Sequence, residues 1–278
     1  MQPRLLSFMN YQLRWQLRRK RWLLPIPLLL FLAYRSINYL TIPGAGGAMQ
    51  ATNTWDVLFL VFGNRWTVYF ALGLLYLYLV CDLLPEPNLG QLVLIRLRSR
   101  KAWWIGKLLT LLILTMVYVL VSVVILAACG AAVLPFEVGY SNQARFMPET
   151  VNLPMQFFRG IQPPLPWVFL AQELALLSLG LFAFGLVMMV VNQVTRRFYF
   201  GLLAGCLVLF GGLVSISLSG PPVWAAWLPG AHLTYFASIP NRTIPLEYSF
   251  LYWGVWIVIF GLVGLAISRR QDHRAALD

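Results

Sequence analysis

The chain has 278 residues, of which 60% are hydrophobic, 15% aromatic and only 11% charged, with a mean hydropathy of +0.73. Soluble domains carry roughly 25% charged residues, so this composition excludes an ordinary soluble enzyme, a disordered chain and a nucleic-acid-binding module. A formal charge of +12 would suit a nucleic-acid partner in a polar chain; in one this apolar it suits the lysine and arginine of cytoplasmic loops.

Residues 1–21 come first, with Leu5, Met9, Leu13 and Leu17 recurring every fourth position and Arg14, Arg18 and Arg21 on another face. That pattern predicts an amphipathic helix lying in the inner membrane interface, anchored by Trp15 and Trp22. So long a basic stretch before the apolar run, with no small-residue cleavage site after it, does not read as a cleavable signal peptide. A helix crossing about 30 Å of hydrocarbon needs about 20 apolar residues. Six such spans are expected, near 22–41, 66–84, 106–130, 166–192, 199–219 and 248–268. For the second, the apolar stretch 57–64 leaves open one longer tilted helix beginning near Trp55, with Arg65 in the outer leaflet. No repeat or linker divides the chain, so 1–278 reads as one all-α membrane domain.

Six spans put both termini on one side. On that side fall Arg4, Arg14, Arg18, Arg19, Lys20 and Arg21, then Arg96, Arg98, Arg100, Lys101 and Lys107, then Arg196 and Arg197, then Arg269, Arg270 and Arg274. The opposite side carries Arg65, Arg145, Arg159 and Arg242, balanced by its acids. Cytoplasmic loops are the ones rich in lysine and arginine, which places both termini in the cytoplasm and gives the basic face some attraction for anionic lipid.

The motifs of common chemistries are missing. There is no HExxH, no paired carboxylate, no GxxxxGK[ST] loop and no filter-like repeat. The three cysteines, Cys81, Cys129 and Cys206, lie in apolar runs without metal-ligand spacing. Ser217, Ser219 and His232 are the residues an intramembrane hydrolase would use, although serines are also common where helices pack. His232 is expected in an outer loop, and Asn192, Gln193 and Thr195 read as caps ending the fourth span.

The segment 85–107 carries the clearest partner signal. Leu92, Ile95 and Leu97 interleave with Arg96, Arg98 and Arg100 before Trp103 and Trp104. Either an interfacial helix on lipid headgroups or a helix docking a cytoplasmic protein fits this pattern. Together with the basic N-terminal helix, the six spans and the proline- and aromatic-rich segment 220–240, it resembles the permease subunits of type-2 ABC transporters over essentially the whole chain. The resemblance implies a coupling helix at 86–101, docking a separate ATPase dimer through Leu89, Gly90, Leu92, Ile95, Arg96, Arg98, Arg100 and Lys101. It further implies re-entrant outer helices at 220–240, a second copy or a related permease as partner, and export of a hydrophobic or amphipathic substrate from the plasma membrane of a prokaryote. ATP and Mg²⁺ would belong to the ATPase, with no cofactor in this chain. The proline-rich outer loop 131–165 is longer than the resemblance leads one to expect, as an outer cap or a partner contact would be. A non-transporting scaffold or immunity protein is the alternative.

Two charges fall within the expected spans, where burial in lipid is expensive. Arg35 and Glu173 lie at similar depth, roughly 10 Å below the outer surface at 1.5 Å per residue. They are expected to form an ion pair, as a structural clamp or as part of a translocation path.

Overall fold

A computed structural model describes residues 3–41, 52–84, 99–146, 165–217, 227–234 and 245–270, and within them every regular element is a helix. Helix α1 (Pro3–Leu17) is followed by a 3-10 turn at Lys20–Leu23, α2 (Pro25–Thr41), α3 (Thr54–Phe62) and α4 (Thr67–Val80). Then come α5 (Arg100–Val133), the short α6 (Asn142–Phe146), α7 (Pro166–Thr195), α8 (Phe198–Ser217) and α9 (Leu246–Arg270).

Four stretches are long and apolar enough to cross a membrane, Lys20–Thr41, Arg100–Val133, Pro166–Thr195 and Leu246–Arg270; a fifth is added if the bent pair α3–α4 counts as one. These are the helices of a multi-pass membrane protein. They fall on the expected spans near 22–41, 106–130, 166–192 and 248–268. The expected span 199–219 coincides with α8, 20 residues without a charge.

The span expected at 66–84 differs most. It falls on α4, which starts as expected but ends at Val80 and is too short to cross alone; the longer tilted helix from Trp55 does not form, because α3 and α4 meet at 85°. Local chemistry explains the break. Gly63 is a weak helix former, and the Asn64 side chain accepts from the backbone N–H of Thr67 at 3.2 Å, capping a new helix. Helix α3 begins on a capping box, in which Asn53 Oδ1 accepts from Trp55 N at 3.0 Å and Asp56 Oδ2 accepts from Asn53 N at 2.9 Å. The first seven residues of α4, Thr67–Gly73, run as a π-helix.

Helix α7 is the hub. Four-fifths of its membrane-length window is buried (78%), against 11% for α9, and it packs on α9, α8, α5, α3 and α4. It is apolar all round because it has neighbours on every side. Helix α5, at 34 residues about 51 Å long, buries a stripe through Trp104, Lys107, Leu111, Leu114, Tyr118 and Leu126. That spacing of three and four keeps one face toward the core.

Helix α1 packs along the start of α5. Its inward face holds Phe8, Met9, Gln12 and Gln16, with Leu5 and Leu13 half-buried, while Leu17 is exposed. The stripe is therefore rotated from the one the leucine spacing predicts. Gly106 on α5 explains the rotation: a Cβ there would lie 2.7 Å from the Phe8 ring, so the missing side chain is what admits Phe8.

Candidate functional site

At the end of the bundle where the basic residues gather, the turn 81–84 delivers the chain from α4 into the segment 85–98, which lies outside the described residues. Three helices hold that turn. From the α1 side, Arg19 and Arg21 both form ion pairs with Asp82, Arg21 Nη2 donates to Gln16 Oε1 at 2.7 Å, and Gln16 Nε2 approaches Asp82 Oδ1 at 3.4 Å. The Arg19 guanidinium also lies 3.5 Å from the centre of the Trp15 ring, a cation–π contact that fixes its direction. From α5, Lys107 Nζ donates to the Leu83 carbonyl at 2.9 Å. From the end of α7, the Asn192 amide donates to the carbonyls of Cys81 and Leu84, both at 2.9 Å. Its oxygen accepts from Gly201 N, also at 2.9 Å, which ties in the start of α8.

The return of the chain is fixed by more exposed bonds. Ser99 Oγ accepts from Ala102 N at 3.3 Å and caps α5. One residue on, Arg100 Nη1 donates to the Arg269 carbonyl at the end of α9 at 2.7 Å. A turn further, Trp104 Nε1 donates to the Gly261 carbonyl at 3.0 Å. The ends of α4, α5, α7, α8 and α9 and the N-terminal helix are thus joined around the base of segment 85–98 by polar bonds. The bonds of Lys107 and Asn192 are buried and hold geometry most tightly, since breaking one leaves a group without water. The Cys81 thiol is buried in the same turn, with Sγ 4.0 Å from Arg21 Nη1.

The sequence-predicted residues distribute unevenly over this site. Leu89, Gly90, Leu92, Ile95, Arg96 and Arg98 lie outside the described residues. Arg100 stands at the base as described, and Lys101 beside it is exposed. Asn192 is not a simple cap but the cross-link between three elements. Lys107 is not a surface charge but 1% exposed, with its ammonium 5.8 Å from the Trp103 ring and 6.0 Å from Phe8. Asp82 and Gln16 carried no prediction. The nearest signal was a lone acid closing an apolar run.

Arg35 and Glu173 are not joined by an ion pair. Glu173 is buried on α7 (2% exposed), whereas Arg35 is exposed on α2, a helix that packs on α5 and α3. Equal depth is not enough when two helices are not neighbours. Arg35 instead lines an open groove of about 570 Å³ between α2 and α4, with Leu28, Phe31, Asn64, Trp66 and Phe70.

At the opposite end, His232, expected in an outer loop, lies between α8 and α9 and is buried. The 3-10 turn Pro229–His232 is buried, Tyr69 donates its hydroxyl hydrogen to the Gly230 carbonyl, and Trp253 Nε1 donates to the His232 carbonyl at 2.8 Å. The imidazole stacks on Tyr252 with centroids 4.1 Å apart and lies 3.0 Å from Ser249 Oγ through Nδ1. Ser219 lies outside the described residues. Also at this end, α3 is stitched to the chain after α5: Trp55 Nε1 donates to the Glu137 carbonyl at 2.7 Å, Asn53 Nδ2 to the Gly139 carbonyl at 3.0 Å and Ser141 Oγ to Asp56 Oδ1 at 2.9 Å.

The fold and this junction define a helical multi-pass membrane protein whose helix ends converge on one basic segment. No family model matches the chain, and no curated protein matches it in sequence.

Proposed function

We propose that the chain is the permease subunit of an ATP-driven transporter of the type-2 ABC kind, with six spans and both termini in the cytoplasm. The bent pair α3–α4 would serve as the second span and α8 as the fifth. The observation that carries this reading is the convergence of helix ends on the base of segment 85–98. A segment that receives force from a partner must be rigidly joined to the helices it moves, and the bonds from Asn192, Lys107, Asp82 and Arg100 supply that joint. The basic character of 96–101 suits an acidic groove on the partner.

On this reading the partner is a dimer of separate ATPase subunits that holds ATP and Mg²⁺ and docks at Leu89 to Lys101. A second copy of the chain, or a related permease, completes the pathway. ATP binding draws the ATPases together, and the docked segment transmits the movement through its base to α4, α5 and α7. Export of a hydrophobic or amphipathic substrate across a prokaryotic plasma membrane follows from the architectural resemblance. The buried turn Pro229–His232 supports a re-entrant segment before the last span.

Purification in mild detergent from the native membrane tests the proposal. An ATP-binding protein should copurify, and its ATPase activity should fall when Leu92, Ile95 and Arg96 are replaced by Asp, Asp and Glu. If no nucleotide-binding protein accompanies the chain, or the replacements leave ATPase activity unchanged, the chain is not such a permease.

A further inference from the structure

The groove between α2 and α4 shares no lining residue with the junction and has its own chemistry. Its walls are apolar, and Trp66 and Phe70 stack nearly parallel there, 5.7 Å apart and inclined by 8°. The π-helical stretch Thr67–Gly73 supplies one wall through Thr67, Phe70 and Ala71; wide turns of this kind often sit at functional sites. Among the described residues three polar side chains, Arg35, Asn64 and Thr67, line this surface, and no acidic residue does. Arg35 makes no ion pair among the described residues. At 1.5 Å per residue it lies about 9 Å from the end of α2, within reach of the headgroup level for a side chain that snorkels.

A guanidinium at this depth is expensive without a counter-charge, and the described lining supplies none. An apolar groove with a guanidinium in its lining is complementary to a molecule with an acyl tail and an anionic head. We infer that the α2–α4 groove is a binding site for an anionic phospholipid, its phosphate on Arg35 and its acyl chain along Phe31, Trp66 and Phe70. Arg65, whose guanidinium lies 5.7 Å from the Trp66 ring, adds positive charge beside the same wall. The site is independent of whether the protein transports anything.

The test uses the full chain in vesicles of equal parts dioleoyl phosphatidylglycerol and dioleoyl phosphatidylcholine, followed by mild extraction and native mass spectrometry. Wild-type protein should retain phosphatidylglycerol in preference to phosphatidylcholine by at least tenfold. Arg35→Gln should abolish that preference; the residue is exposed, so the substitution leaves packing intact. Ala71→Phe, which fills the groove and keeps the charge, should reduce retention about as much. Equal retention of both lipids by wild type, or full retention by Arg35→Gln, overturns the site. Full retention by Ala71→Phe reduces it to a surface arginine touching annular lipid and overturns it as well. So does displacement of the lipid by soluble glycerol phosphate, since the walls would then contribute nothing.

Discussion

Replacing Asn192 probes the junction most directly. The amide is 1% exposed and satisfies three backbone groups at once, the carbonyls of Cys81 and Leu84 and the N–H of Gly201. In Asn192→Leu all three lose their partner in a place water does not reach. A buried group left without a hydrogen bond costs about 1–3 kcal/mol, so three give a loss of about 3–5 kcal/mol when the lower end of that range is used. For a chain of this size each kilocalorie shifts the midpoint by about 2–4 °C, which predicts a drop of about 10 °C in thermal unfolding measured in mild detergent. Asn192→Asp should be no better, because a carboxylate can still accept from Gly201 but sets negative charge against two carbonyl oxygens. Gly201→Ala attacks the same point from the other side: its Cβ would lie 2.1 Å from Asn192 Oδ1 and 2.5 Å from the Met188 carbonyl oxygen, a backbone atom that cannot swing away. An unfolding midpoint within 2 °C of wild type for Asn192→Leu would refute the claim that this side chain ties α7 to the turn.

Two further predictions concern the same end of the bundle. Asp82→Asn leaves Arg19 and Arg21 without their carboxylate; the side chains keep 24–30% exposure for Arg19 and Asp82, so the loss is about 1–2 kcal/mol rather than the 3–5 kcal/mol of a fully buried pair. The wild-type advantage should shrink in 1 M salt, where charges are screened beyond about 3 Å, and an advantage of the same size at low and high salt would show that the ion pairs contribute nothing. Gly264→Ala places a Cβ 2.0 Å from the Trp104 ring, which the bond from Trp104 to Gly261 holds in place. Overpacking of this kind costs about 1–3 kcal/mol, measurable as a lowered unfolding midpoint that Trp104→Leu in the same chain should partly restore.

Much of the architecture was legible from local pattern. An apolar run of span length must be helical in a membrane because its backbone groups have no other partners. Four expected spans accordingly fall on α2, α5, α7 and α9 with ends moved by a few residues, the largest change being α5, which starts at Arg100 because Ser99 caps it. The break between α3 and α4 also had a sequence sign, Gly63 followed by Asn64, but a sign of either a loop or a kink; the 85° angle comes from the packing of α3 on α5 and the stitches from Trp55 and Asn53 to 137–139.

What the sequence by itself determined is the class of protein and the distribution of its charge: helical, membrane-embedded, basic at one end. Those are sums over residues and periodicities within one helix, and neither depends on how helices are rotated or staggered against each other. Pairings between helices do depend on that. Arg35 and Glu173 stand on α2 and α7, which both pack on α5 and α3 but not closely on each other, and so do not meet. Asp82 meets Arg19 and Arg21, and Asn192 meets Cys81, Leu84 and Gly201, because the packing of α4 and α7 and the course of the chain from α1 to α2 bring their ends to one point. His232 enters the core because Tyr69, Trp253 and Ser249 converge from two different helices to meet it and its turn. Each of these contacts joins residues distant in the chain, and only the tertiary arrangement decides them.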